Sequence, residues 1–296
     1  MNGSCNIFKS SYLKKHSFLL LLLLMTAFSS AAQTFLSHCE LGLSFGGMNY
    51  IGDLNNQSMF GQVNMAGGVA ARYKFDSRWA LAFTGTYGHI ESTDYIARRN
   101  LSFRSTLAEV GARIEFNFFP YGAHKATLKR STPYIFAGVG FFKFNPQALY
   151  ADPTGGSVLW YDLQPLGTEG QGSAAYPDRQ KYKLVEVSMP FGIGYRWRVA
   201  DNMHVTVEYG WRRTWTDYLD DVSTTYVGSD LLNGQGNSMA ATLADRSSEV
   251  LPGYVNGVGV KRGDDALDDW YSYFGLTVTF SAEMLFGWMR GRTCEL

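Results

Sequence analysis

The chain has few of the features that mark most function classes. It carries only 3 cysteines in 296 residues. One of them, Cys5, falls in the leader described below, which leaves at most one disulfide in the exported chain. Beyond the leader no apolar run approaches the roughly 20 residues of a spanning helix, and the mean hydropathy is slightly negative. A helical membrane protein is thereby excluded. Lys plus Arg and Asp plus Glu balance at 26 each, too even to suggest a nucleic-acid partner. His38, His89, His124 and His204 share no ligand spacing, so no zinc site is supported and no cofactor is implied.

What is present begins with an export signal. Lys9, Lys14 and Lys15 supply a positive start, residues 17–28 an apolar stretch, and Ser30-Ala31-Ala32 the small residues a signal peptidase reads. Cleavage after Ala32 is predicted, leaving 33–296 as one domain. Losing three lysines and no acid takes the formal charge from 0 to −3.

The exported part alternates apolar and polar residues with a period of two, which gives a strand one greasy and one polar face. Eight such segments are predicted, at about 40–49, 63–75, 78–87, 107–118, 134–144, 185–198, 203–214 and 270–280. The clearest is the seventh, where Met203, Val205, Val207, Tyr209 and Trp211 alternate with His204, Thr206, Glu208, Gly210 and Arg212. The fifth is apolar on both faces, and its orientation stays open. Pro190 in the sixth cannot donate to a ladder, so a bulge or local break is expected there. The gaps go long and short in turn. Those at 50–62, 88–106, 145–184 and 215–269 are assigned to the outside, and those at 76–77, 119–133 and 199–202 to the periplasm. Small and charged residues share one face and bulky aromatics the other. An all-β fold is predicted: an eight-stranded antiparallel up-and-down transmembrane β-barrel in the outer membrane of a Gram-negative-type envelope.

The polar face gathers Glu40, Arg72, Lys74, Glu109, Arg113, Glu115, Glu186, Arg196, Glu208 and Arg212. A barrel of eight strands is only wide enough to be filled by its own side chains, and charges kept from water must pair. A neutralised plug is therefore expected rather than a conduit. Cys39 precedes the first strand and Cys294 follows the last, which become neighbours on closure; a disulfide between them is one reading and two free thiols the other. Asp217, Asp220 and Asp221, with Asp264, Asp265, Asp268 and Asp269, lack the spacing of a calcium loop and are expected to form a solvated acidic rim. His124, Lys125, Lys129 and Arg130, with Arg290 and Arg292, make the inner rim basic, a surface suited to an acidic periplasmic partner. A Ser–His pair at the outer rim would suggest a lipid-modifying enzyme; His89 with Thr86 or Ser92 is a weak candidate, and no enzymatic activity is expected.

Several blocks resemble the PorG-type barrels, outer-membrane components of the type IX secretion system. They are Glu40-Leu41-Gly42 leading to Asn49-Tyr50-Ile51-Gly52-Asp53-Leu54, Thr132-Pro133-Tyr134, Phe144-Asn145-Pro146, Pro165-Leu166-Gly167-Thr168-Glu169-Gly170-Gln171, Pro190-Phe191-Gly192, Thr216-Asp217-Tyr218-Leu219-Asp220-Asp221-Val222-Ser223, and Arg262-Gly263 before Asp269-Trp270-Tyr271. Residues 273–280 resemble the terminal signal read by the barrel assembly machinery. The resemblance implies a non-enzymatic barrel embedded in outer-membrane lipid. Its partners would be periplasmic secretion-ring proteins, a lipoprotein and its soluble partner, met at the inner rim. A free-standing surface barrel whose loops 145–184 and 215–269 bind a ligand or partner is the alternative.

Overall fold

A computed structural model describes residues 38–55, 62–96, 98–122, 128–151, 156–234 and 238–286. The expected signal segment 1–32, together with His124, Lys125, Arg290, Arg292 and Cys294, lies outside the described residues, and so does the disulfide question; Cys39 is half-buried at the head of the first strand.

Alternation decides the architecture. Among the described residues ten strands form: β1 (Cys39–Ile51), β2 (Asn64–Lys74), β3 (Trp79–Thr93), β4 (Ser102–Asn117), β5 (Ser131–Lys143), β6 (Pro146–Ala151), β7 (Val158–Asp162), β8 (Val185–Ala200), β9 (Met203–Thr214) and β10 (Trp270–Ser281). Eight of them close a barrel in the order β3-β2-β1-β10-β9-β8-β5-β4, with β4 returning to β3. All of these pairings are antiparallel, including the closing pair of β1 and β10, where Phe45 meets Leu276 and Glu40 meets Ser281. Closure leaves no unpaired edge in the wall. β6 and β7 are an extra hairpin hung from the outer end of β4 through Arg104 and Ser105.

The strand faces sort as the alternation requires. Side chains such as Phe45, Met65, Val69, Phe83, Val110, Ile114, Val139 and Phe274 point outward and are exposed, a belt far larger than the patches soluble monomers carry. An aromatic band, including Phe75, Trp79, Phe118, Tyr195 and Trp197, rings the end with the short turns. Small and charged residues fill the inside, and β5 resolves with Gly138 and Gly140 facing inward. Pro190 is a local break and not a bulge: pairing of β5 with β8 skips from Ala137–Phe191 to Gly140–Ser188 without changing register. The register shift in β8 lies instead between Arg198 and Ala200. Among the described residues no helix is long and apolar enough to cross a membrane.

Substituting Val207, outward on β9 opposite Leu276 and Tyr195, tests the belt directly. Val207→Arg is expected to cost about 2–4 kcal/mol if its level is mid-membrane. Equilibrium unfolding from lipid vesicles measures this, with Val207→Leu as the control.

Beyond the wall, the long connections fold. The segment after β7 forms a helical turn, α1 (Leu163–Leu166). The segment after β9 forms α2 (Ser229–Gly234), α3 (Ser238–Ala244) and a 3-10 turn at Ser247–Glu249, and α4 (Ala282–Phe286) follows β10. The connections after β7 and β9, together with the outer ends of β3, β4 and β1, build a cap over one mouth of the barrel, while α4 lies at the opposite, short-turn end.

Candidate functional site

Inside the barrel, period-two patterning puts the charged residues of different strands at matching heights, and register brings them together. At the short-turn end, Glu40 takes Arg72 at 2.7 Å, Lys74 at 2.9 Å and His204 at 3.2 Å. His204 is held from its other side by the Tyr121 hydroxyl. One level higher, Glu115 collects three arginines: Arg72 and Arg196 at 2.7 Å on one oxygen, Arg113 at 3.1 Å on the other. Arg113 continues as a two-pronged pair to Glu208, at 2.9 and 2.7 Å, and the Tyr134 hydroxyl donates to the same carboxylate at 2.8 Å. Above this, Glu109 faces Arg212 at 3.6 Å and accepts from Tyr271 and Ser188. Fork-shaped arginines suit such a network: Arg72 bridges Glu40 and Glu115, and Arg113 bridges Glu115 and Glu208. Apart from Lys74, the members of these pairs are nearly inaccessible to water, with no side chain above 6% exposure.

Of the ten interior charges read from the sequence, nine are thus joined. Glu186 is not among these pairs; it sits half-buried at the outer end of β8, opposite Phe142. At the inner rim Lys129 and Arg130 are exposed in the turn before β5, with Arg78 near them in the β2–β3 turn. The Ser–His idea fails on pleat geometry: His89 points outward, whereas Thr86 and Ser92 point inward, and the Ser92 hydroxyl is given to the Leu54 carbonyl.

The acidic clusters need the largest correction. Asp217, Asp220, Asp221 and Asp269 are buried beneath the cap, and only Asp265 and Asp268 stand fully in solvent. The centre of the cap is an ion pair that spacing gave no reason to suspect. Glu169 (0% exposed) holds Arg262 (2%) at 2.9 Å. The same carboxylate accepts backbone N–H bonds from Ser223 and Thr224 at 2.9 Å and the Thr224 hydroxyl at 2.7 Å. Arg262 also donates to the carbonyls of Ala244 and Asp221. Asp221 has a positive φ of 66°, unusual for a residue with a side chain; the hydroxyls of Thr168 and Tyr182 hold its carboxylate. Burial pushes that carboxyl up to about 6, against the pull of Arg262. Tyr182 stacks on Tyr218 at 4.7 Å and on Phe144 at 6.2 Å, tying the cap to the barrel mouth. Gly263 fits only as glycine, because a Cβ there would lie 2.4 Å from the Asp53 carboxylate and 2.6 Å from the backbone of Ser223.

The blocks that carry the family resemblance therefore meet in space. Residues 165–171, 216–223 and 262–263 form one buried knot, and Tyr50, Asp53 and Asp269 adjoin it. Chemically the knot is structural: Glu169, Arg262 and Asp221 are each bound by other parts of the chain. Among the described residues no set of three His, Cys, Asp or Glu side chains is placed to hold a metal ion.

Residues 15–158, just under half of the chain, match a family model described as a domain of unknown function (DUF6089). No curated protein matches. Among solved structures, the chain is similar to Neisserial surface protein A at 11% identity, covering 83% of this chain and 97% of that one, with a TM-score of 0.38. It is similar to the attachment invasion locus protein Ail of Yersinia pestis, solved with the heparin analogue sucrose octasulfate, at 9% identity over 82% of this chain and 96% of that one, TM-score 0.37. It is also similar to the outer membrane protein OprG of Pseudomonas aeruginosa, at 10% identity over 83% and 99%, TM-score 0.36. The fold itself rests on the closed antiparallel ladder of eight strands in this chain.

Proposed function

We propose that this chain is an outer-membrane barrel that works at its rims and not through its centre, as a structural subunit of a type IX-like secretion apparatus. The observation that carries this reading is the filled interior. Glu40, Glu115, Glu208 and Glu109 are cross-braced by arginines through the barrel, which favours a rigid post over a channel. The apolar belt with its aromatic band suits a position in hydrocarbon. Residues 1–32 would direct export, and the barrel assembly machinery would read residues 273–280. The exposed Arg78, Lys129 and Arg130 make the inner rim basic and suited to acidic surfaces of periplasmic ring proteins, a lipoprotein and its soluble partner. Chemical crosslinking in intact envelopes followed by capture of the barrel tests the assignment. Recovery of ring components, lost when Arg78, Lys129 and Arg130 are changed to glutamate, is the expected result. Unimpaired secretion after deletion of the gene, with no ring component captured, would overturn it.

One observation favours a second reading, a free-standing surface barrel. Loops 145–184 and 215–269 are folded around a buried ion pair and are not loose, as a preformed recognition surface would be. Under that reading, exchanging these loops abolishes ligand binding while the inner turns are dispensable.

A further inference from the structure

Tyr50, at the outer end of β1, places its hydroxyl oxygen between two carboxylates. It lies 2.6 Å from Asp220 Oδ2 and 2.7 Å from Asp269 Oδ1. All three residues are buried, at 0%, 1% and 0% exposure. A phenol carries one hydrogen and satisfies one carboxylate. A second ionised carboxylate at the same distance would press lone pair against lone pair in a site closed to bulk solvent. The remaining oxygens do not remove the conflict: Asp220 Oδ1 accepts the Val222 N–H at 2.8 Å and Asp269 Oδ2 accepts the Leu219 N–H at 2.9 Å. Among the described residues no cation touches either acid: of the two arginines that face them, Arg262 is bound to Glu169 and Asp221 and Arg99 to Asp94.

We propose that Asp269 is a neutral carboxylic acid that donates its proton to the Tyr50 oxygen while Tyr50 donates to Asp220. The contact is then a proton-dependent clasp joining the end of β1, the segment after β9 and the entry to β10. It holds the cap shut on the barrel mouth.

The surroundings agree. Facing the pair are Asp53 from the turn after β1, Asp217 from the segment after β9, Tyr182 from the approach to β8, Arg99 from the β3–β4 turn and Arg262 from the approach to β10; behind them, Asp264 bonds Asp53, and Glu169 and Asp221 hold Arg262. Burial first, then Asp220 and Asp217, drive the Asp269 carboxyl well above the ordinary carboxylate range. Asp220 is raised to about 8, by burial and by Asp53, against the opposing pull of its hydrogen bonds and Arg262. Because Arg262 favours the charged form of Asp220, whereas the charges that act most on Asp269 are the acids Asp220 and Asp217, the proton belongs on Asp269. The closed cap binds a proton that the open cap, with Asp269 in water, releases. Closing is therefore unaffected below the ordinary aspartate range, weakens as pH rises through neutrality, and stops weakening once the closed form has ionised.

Two measurements on the full exported chain refolded in lipid vesicles test this. Infrared spectroscopy at neutral pH is expected to show the carbonyl stretch of a protonated carboxylic acid that Asp269→Asn removes. Asp220→Asn removes it as well, because Tyr50 then serves Asp269 alone; that variant stands in if Asp269→Asn does not fold. Amide exchange in 216–226 and 262–269, corrected for its intrinsic pH dependence, reads the opening equilibrium. It is expected to rise at least about tenfold per pH unit between about pH 6 and 8, with one proton less of slope in Asp269→Asn. Absence of a protonated-acid band in the wild-type chain, or equal pH slopes in the wild type and the folded variant, overturns the clasp.

Discussion

Replacing Glu115 with alanine is expected to cost the barrel about 3–5 kcal/mol, the penalty for breaking a buried ion pair from one side. Glu115 is completely buried and is the one carboxylate that three arginines share, Arg72, Arg113 and Arg196. Arg72 keeps Glu40 and Arg113 keeps Glu208, but Arg196 is left with Asn117 at 3.2 Å, Thr206 at 3.4 Å and the Tyr134 ring. A guanidinium without a carboxylate in the wall of a narrow barrel has nowhere to go, because β8 fixes its base between Gly194 and Arg198. Glu115→Gln keeps the shape and one acceptor, so its loss should be smaller. Glu186→Gln, at the same polar face but outside the network, is expected to change stability by less than about 0.5 kcal/mol. Unfolding by urea in detergent micelles orders the three variants. Equal stability of Glu115→Ala and the wild type would mean that water reaches the interior, and the filled post would have to be given up.

How far the chain discloses its fold depends on where each residue meets lipid. β9 lies within residues 203–214 as the alternation predicts, because one of its faces meets hydrocarbon and the other the packed interior along its whole length. β3 and β4 instead run beyond their predicted outer ends, to Thr93 and from Ser102. There His89, Glu91, Thr93, Arg104 and Thr106 stand above the belt with water beside them while Ile90, Phe103 and Leu107 pack inward, so the outward face is polar and the apolar parity that marks the lipid-facing wall is reversed. The hairpin of β6 and β7 is missed for the same reason: all five residues of β7 are exposed or half-exposed. In the interior the charges were legible as a set, since they share parity with small residues, but their pairing was not, since register decides it. The cap departs from its sequence pattern in the opposite direction. A run such as Asp217-Tyr218-Leu219-Asp220-Asp221 looks solvated, and nothing local shows that Arg262 and Tyr50 arrive to cover it from 41 and 170 residues away.

Removing Arg262 is the second large effect, and it is expected to separate cap from barrel. Arg262→Met keeps the aliphatic stem and deletes the charge. Glu169 is then a buried carboxylate held only by N–H and hydroxyl groups of 223–224 and Tyr218, and Asp221 loses the cation that favours its charged form. Leaving such a carboxylate without its partner costs about 3–5 kcal/mol, and the loss falls on the loops, because none of the groups involved lies in a barrel strand. The expected outcome is cleavage of 168–184 and 216–226 by added protease at rates at which the wild-type chain is intact, with the barrel still migrating as a folded species before heating. Glu169→Gln combined with Arg262→Met should recover part of the resistance: a neutral amide still accepts the Ser223 N–H and no charge remains to be paired. Non-additivity of that pair in a double-mutant cycle is the signature that separates a true ion pair from two independent packing losses. If both single variants resist protease like the wild type, the cap is held by its stacked tyrosines, Tyr182 on Tyr218 and Phe144, and not by its central charge pair.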